Sequence, residues 1–201
     1  MNEHDIVEAS FLAAAQEASS LPPPVGVEIA FAGRSNVGKS SLMNQLMARR
    51  SLVRTSSTPG CTRAINFFEA RARDGMRLTL VDLPGYGYAA RSRQEKKQWA
   101  ELIEHYLLQR QTLSAVVVLV DVRRGLEPDD LDLFKLISEP GPRARPPNPV
   151  LVATKLDRVP SAKRAATLSA LASKVKRPIG FSTELPDTTH EVWRALRAAI
   201  R

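Results

Sequence analysis

The chain has 201 residues, 43% hydrophobic and 25% charged, with 10 glycines and 14 prolines, which excludes a fibre or a disordered polymer and suits a fold whose core needs no covalent staple. Its single cysteine, Cys61, has no internal disulfide partner, no Cys/His cluster has zinc spacing, and no apolar run approaches the ~20 residues of a membrane helix. Lys and Arg outnumber Asp and Glu by 29 to 21, a formal charge of +8 that favours encounter with polyanions such as nucleic acid without specifying one.

The first residues are the least regular: Val7 to Ala15 fits either an edge strand or a short helix, and Pro22-Pro23-Pro24 breaks the chain before the core begins. Residues 1–26 are therefore expected as an extension packing on or near a single domain of residues 27–201. Val27 to Ala32 is the first clear strand and runs into a glycine loop, after which Leu42, Met43, Leu46 and Met47 recur at helical spacing. Ser51 to Arg63, with its Pro59-Gly60 pair, predicts a loop. Ile65 to Arg71 and Met76 to Asp82 predict an antiparallel hairpin through Asp74-Gly75 at one edge of the sheet. From Ser92 to Arg110 an apolar face of Trp99, Leu102, Ile103, Tyr106 and Leu107 predicts a surface helix.

Val116 to Val120 is a strand covered on both faces, and Pro128 suits the first turn of the helix that follows. The five prolines at 140, 142, 146, 147 and 149 predict a stiff, exposed connector before the strand Val150 to Ala153. A helix from about Ser161 to Lys174, a short strand around Ile179 to Phe181, and a helix carrying Val192, Trp193, Leu196 and Ile200 complete the chain. Apolar strands alternating with amphipathic segments make this an α/β protein: three layers, a mostly parallel sheet with one antiparallel hairpin, and helices on both faces.

Three segments carry chemistry. Gly33 to Ser40 fits G-x-x-x-x-G-K-[ST] between a strand and a helix, the context this pattern needs. Glycines let successive amides of Gly33, Arg34, Ser35, Asn36, Val37 and Gly38 face phosphate oxygens, and the helix N-terminus favours an anion. Lys39 is then placed for β- and γ-phosphates and the Ser40 hydroxyl for Mg2+. Asp82-Leu83-Pro84-Gly85 ends a buried strand, where Asp82 suits an outer-shell Mg2+ partner and the Gly85 N–H a γ-phosphate. Thr154-Lys155-Leu156-Asp157 ends another strand, and Asp157 can accept from guanine N1–H and its amine, a pattern adenine lacks. Phe181-Ser182-Thr183 follows the next short strand and offers a backbone N–H to guanine O6.

Taken in order with Thr62, these segments resemble the five motifs of the small P-loop GTPases. Phe31 to Asn44, Thr58 to Arg63, Ile65 to Phe68 and, above all, Asp82-Leu83-Pro84-Gly85-Tyr86-Gly87-Tyr88-Ala89 are similar to the EngB (YihA-type) bacterial GTPases, within the TrmE-Era-EngA-EngB-Septin-like group, over about residues 27 to 200. The resemblance adds Gly60, Cys61, Thr62, Arg63 and Ala64 to the nucleotide-binding set and makes Thr62 the switch threonine that closes on Mg2+ and the γ-phosphate, with Thr58 its local competitor. It implies a Mg2+-dependent, monomeric, cytoplasmic switch that binds GTP and GDP, acts on a large ribosomal subunit precursor, and is needed for normal division and septation. Cys61, Arg158 and the proline-rich connector depart from the family's usual pattern.

Where Ras-like proteins have a water-orienting Gln, this chain has Tyr86, which has no side-chain amide, so slow hydrolysis is expected, supported by Lys39, Thr62 and Gly85. A partner, or potassium near Asn36, would supply what is missing; the alternative for Asn36 is a loop-shaping hydrogen bond. Arg91, Arg93, Lys96 and Lys97 are candidates for ribosomal RNA contact against a plain solvated helix face. His4, His105 and His190 form no catalytic grouping. The competing functions are an ATP-using phosphotransferase, which the guanine motif argues against, and a nucleotide-dependent scaffold in cell division.

Overall fold

A computed structural model describes residues 6–53, 64–86, 93–139, 141–143, 145–172 and 177–201, and within 93–109 omits the side chains of 93–96 and 99. Among the described residues, seven strands form one sheet in the order β1-β3-β4-β2-β5-β6-β7. The strands are β1 (Ile6–Ala15), β2 (Val27–Gly33), β3 (Ile65–Ala72), β4 (Arg77–Asp82), β5 (Leu113–Asp121), β6 (Asn148–Thr154) and β7 (Ile179–Gly180). The helices are α1 (Lys39–Leu46), α2 (Arg93–Gln109), α3 (Pro128–Ser138), α4 (Ser161–Ala172) and α5 (Asp187–Ala199).

β4, β2, β5, β6 and β7 run parallel, which puts the C-terminal ends of β2, β4, β5 and β6 on one rim of the sheet. Their apolar runs face both ways: Ile29, Phe31, Val117 and Leu119 join α1 and α5 in one cluster, and Ala30, Ala32, Val116 and Val118 join α2 and α3 in a second. A strand covered on both faces has no reason to alternate, so continuous hydrophobicity is its signature. α4 closes a third cluster beside β6 through Leu168 and Leu171.

β3 and β4 form the expected antiparallel hairpin, turning at Gly75, whose φ of +86° lies in the left-handed region. The hairpin is one strand in from the rim, because Ile6–Ala15 is a strand and adds antiparallel to β3 as the outermost member, with two register shifts along its length. The proline-rich connector is exposed at Pro142, Pro146 and Pro149, as expected, but is pinned at other points. Arg143 and Pro147 are buried, a Cβ on Gly141 would fall 2.8 Å from the Leu108 carbonyl, and β6 begins at Asn148, two residues before the predicted strand. Pro149 is tolerated there because it pairs with Val116 of β5 on one side, while pairing to β7 starts only at Val152. Pro140 lies outside the described residues.

A buried polar knot sits at the opposite rim. Glu28, 1% exposed, accepts from Arg110 Nε at 2.9 Å and Nη2 at 2.6 Å and from the Tyr106 hydroxyl at 2.8 Å. Arg110 also donates from Nη1 to the Pro22 carbonyl at 2.7 Å, and its guanidinium lies 5.6 Å from the Phe67 ring centre. The end of α2, the start of β2 and the Pro22–Pro24 segment are thus fastened together.

Candidate nucleotide-binding site

The phosphate loop leaves β2 at Gly33, where glycine is required by close approach: a Cβ would fall 2.9 Å from both the Leu119 carbonyl and Val37 Cγ1. Gly38 needs no side chain for a different reason, its φ of +105° being costly for other residues. It caps α1, so Lys39 and Ser40 open a helix whose first N–H groups face the loop. Asn36 has φ +62°, a left-handed shape Asn tolerates, and its carbonyl accepts from Lys155 Nζ at 2.9 Å.

The motifs that are far apart in sequence meet at this loop. Lys39 Nζ is paired with Asp82 Oδ1, and Asp82 is 3% exposed at the end of β4. Leu83 and Pro84 are buried beneath the turn. Gly85 packs on the loop, its Cβ position being 3.3 Å from Ser35 N and Oγ. The Thr154 hydroxyl lies 2.6 Å from the Val37 carbonyl and 3.0 Å from that of Val120. Leu156 N–H donates to the Phe181 carbonyl at 3.1 Å, and the Ser182 hydroxyl donates to Asp157 Oδ1 at 2.6 Å. Arg158 Nε lies 3.1 Å from Asp157 Oδ2, so the departure at Arg158 makes an ion pair with the predicted base reader.

Of the Phe181-Ser182-Thr183 amides, Phe181 N–H donates to Ala153 and Ser182 N–H to the Thr188 hydroxyl, while Thr183 is exposed. Arg34 sends its guanidinium to Glu127 at 3.0 Å and Asp129 at 2.8 Å, so any nucleotide contact it makes is through its backbone. Gly60, Cys61, Thr62 and Arg63 lie outside the described residues, as do Thr58 and Arg91, while Ala64 stands just before β3. Lys97 is exposed and pairs with Glu101 one helical turn on. His105 and His190 are exposed, and His4 lies outside the described residues.

Sequence reasoning missed Asp121. It ends β5 as Asp82 ends β4, accepts from Arg123 N and Nε at 3.0 and 2.9 Å, and lies 3.1 Å from Lys155 Nζ. The Arg123 guanidinium beside it holds its carboxyl well below the usual carboxylate range, with Lys155 adding to the effect against the cost of burial. An acid at the end of an apolar strand on the rim that bears the phosphate loop was the available signal. Asp121 fixes Lys155, which in turn fixes the Asn36 carbonyl. A small cleft of about 110 Å³ runs here between the loop and residues 119–130, with Arg123 and Lys155 in its wall.

A glycine loop between a parallel strand and a helix, an Asp-x-x-Gly turn resting on it, and a Thr-Lys-x-Asp segment reaching its far side define a P-loop GTPase. The chain matches the model of the 50S ribosome-binding GTPase family over residues 28–155. It is 42% identical over 195 residues to the GTP-binding protein EngB of Desulforapulum autotrophicum, covering 95% of this chain and 96% of that one. The EngB of Trichlorobacter lovleyi is 41% identical over 199 residues, covering 97% and 96%. The chain therefore belongs to the EngB family of GTP-binding proteins, which are GTPases. A crystal structure of an EngB protein superposes with TM-score 0.66 at 24% identity over 87% of this chain and 99% of that one. Era in complex with MgGDPNP and nucleotides 1506–1542 of 16S ribosomal RNA superposes with TM-score 0.67 at 18% identity over 89% and 58%. At these identities the likeness is one of fold.

Proposed function

We propose that this GTPase is a Mg2+-dependent switch acting in assembly of the large ribosomal subunit, and through it in normal cell division and septation. The observation that carries the nucleotide half is the contact chain running from Asp82 through Lys39 and Val37 to Thr154, and from Leu156 and Asp157 to Phe181 and Ser182. It gathers four of the five motifs on one rim of the sheet, where ligands of α/β folds bind. The description of the matched family, a 50S ribosome-binding GTPase, supports the ribosomal half, and the formal charge of +8 suits an RNA-rich partner.

The site's donors are hard oxygens, the Ser40 hydroxyl and the Asp82 carboxylate, which suits Mg2+ held by one or two protein groups and by substrate phosphates. Bound there, Mg2+ neutralises charge on the transferring phosphoryl group. Lys39 holds the β- and γ-phosphates, Thr62 is the threonine that would meet Mg2+ and the γ-phosphate, and Gly85 offers its N–H. Asp157 reads the guanine edge, fixed in orientation by Ser182 and Arg158. Asn36 shapes the loop through its left-handed backbone; faster turnover in potassium than in sodium buffer would argue for a cation there instead.

Titration with fluorescent GDP and a GTP analogue tests the base reader. Wild type should prefer guanine over adenine nucleotides, and Asp157→Asn should shift the preference to xanthine; indifference of the wild type to the base would remove the assignment. For the ribosomal half, the protein loaded with a GTP analogue should co-sediment with large-subunit precursors, and charge reversal at Arg91, Arg93, Lys96 and Lys97 should weaken that association. A septal location without ribosomal association would favour the scaffold reading.

A further inference from the structure

The turn that follows Asp82 is held more firmly than its motif requires. Tyr86 N–H donates to the Gly33 carbonyl at 3.4 Å, and the Tyr86 carbonyl accepts from Ser35 N–H at 3.2 Å. Its hydroxyl donates to Asp130 Oδ1 at 2.7 Å. Asp130 is 1% exposed, and its other oxygen accepts from Glu127 N–H at 2.8 Å, capping α3. Burial, and then Asp130 itself, push the Tyr86 hydroxyl far above its ordinary value, so it stays a donor at any physiological pH. The same end of α3 holds the phosphate loop through Arg34. One helix terminus therefore grips both the loop and the turn.

This grip brings Gly85 close against Ser35. A methyl group on Gly85 would already fall 3.3 Å from Ser35 N and Oγ, tighter than ordinary van der Waals contact, and a phosphoryl group is larger than a methyl. For Gly85 to turn its N–H to a γ-phosphate it must part from Ser35, and Tyr86, its neighbour, must move with it. A diphosphate makes no such demand.

We propose that Tyr86 and Asp130 form a latch that sets the preference between diphosphate and triphosphate, holding the Asp82–Gly85 turn on the phosphate loop until a γ-phosphate displaces it. Tyr86 is thus a positioning residue rather than a replacement for a water-orienting glutamine, since its hydroxyl is committed to α3. A ligand shifts such an equilibrium only by its differential affinity for the two arrangements, so weakening the latch favours the triphosphate selectively.

The inference rests on the site binding guanine nucleotides, and the test separates the two. Fluorescent GDP and a non-hydrolysable GTP analogue are titrated with Mg2+ into wild type, Tyr86→Phe and Asp130→Asn. Tyr86→Phe removes one hydroxyl from an otherwise unchanged ring, and the ratio of analogue to GDP affinity should rise about tenfold, the value of a hydrogen bond to a charged group. Asp130→Asn keeps an acceptor without its charge and should fall between wild type and Tyr86→Phe. A merely structural role would weaken both ligands alike and leave the ratio where it was. A ratio within about twofold of wild type in both variants, with guanine selectivity intact, overturns the latch; loss of selectivity in the wild type overturns the nucleotide reading beneath it.

Discussion

Replacing Arg110 by Met is the sharpest test of how this fold is fastened. The guanidinium is 8% and the Glu28 carboxylate 1% exposed, and the pair is joined at 2.6, 2.9 and 3.0 Å. Met keeps most of the apolar stem and removes the guanidinium that lies over Phe67, so the loss is mainly one of charge. Glu28 is left buried with the Tyr106 hydroxyl as its remaining side-chain donor. Removing one partner of a buried pair costs about 3–5 kcal/mol, which for a chain of this size is a fall of about 6–20 °C in Tm. Urea unfolding followed by tryptophan fluorescence reads the loss, in nucleotide-free protein because bound ligand adds its own stabilisation. The triple change Arg110→Met, Glu28→Met and Tyr106→Phe takes away the stranded charge and the stranded hydroxyl together. It should regain most of the loss, since apolar replacements of buried ion pairs are often neutral. A single variant within about 1 kcal/mol of wild type, or a triple variant as damaged as the single, would refute the account of Glu28 as a carboxylate stabilised by Arg110.

Gly33→Ala places a methyl against the Leu119 backbone carbonyl and should cost about 1–3 kcal/mol together with nucleotide affinity. Gly180→Ala meets mainly the flexible ends of Leu156 and Leu168 and should cost less in paired thermal melts. Thr154→Val strands the Val37 carbonyl and should lose about 1–3 kcal/mol in urea unfolding, with weaker GDP binding because the phosphate loop is no longer held from that side. Asp121 has a folded pKa below its unfolded value, so its stabilisation is whole above the unfolded value of about 4 and drains away as pH falls toward the folded one. Asp121→Asn should therefore be less stable at neutral pH and show a shallower acid limb; identical limbs would contradict the Arg123 pairing.

Where function depends on local chemistry, the chain could be read directly. Val27 to Ser40 declares strand, loop and helix in a single stretch of sequence, and Asp74-Gly75 declares its hairpin, because every partner involved is near in sequence. Val7 to Ala15 stayed ambiguous for a physical reason. Ala13-Ala14-Ala15 has weak strand preference of its own, and only pairing with β3 decides the outcome. Pro149 looked like a strand breaker and is not one, because β6 has a neighbour on one side only at that point. Arg34 to Asp129 and Tyr86 to Asp130 span 95 and 44 residues. Nothing local distinguishes these acids from solvated helix-start residues, so the grip of α3 on the site emerges only from the assembled fold.

The outermost strand has a consequence for how the chain is made. β1 is synthesised before β3, and its partners come 50 to 66 residues later, Ala15 meeting Ile65 and Ile6 meeting Ala72. At about 5–20 residues per second, a nascent chain waits several seconds with this segment unpaired. Its Phe11 and Leu12 are half-exposed even in the finished protein. The hairpin of β3 and β4 closes locally as soon as both halves emerge, and only then does a template for β1 exist. Sealing the sheet is therefore a late, long-range event, and a strand made before its partner is among the last to find its place.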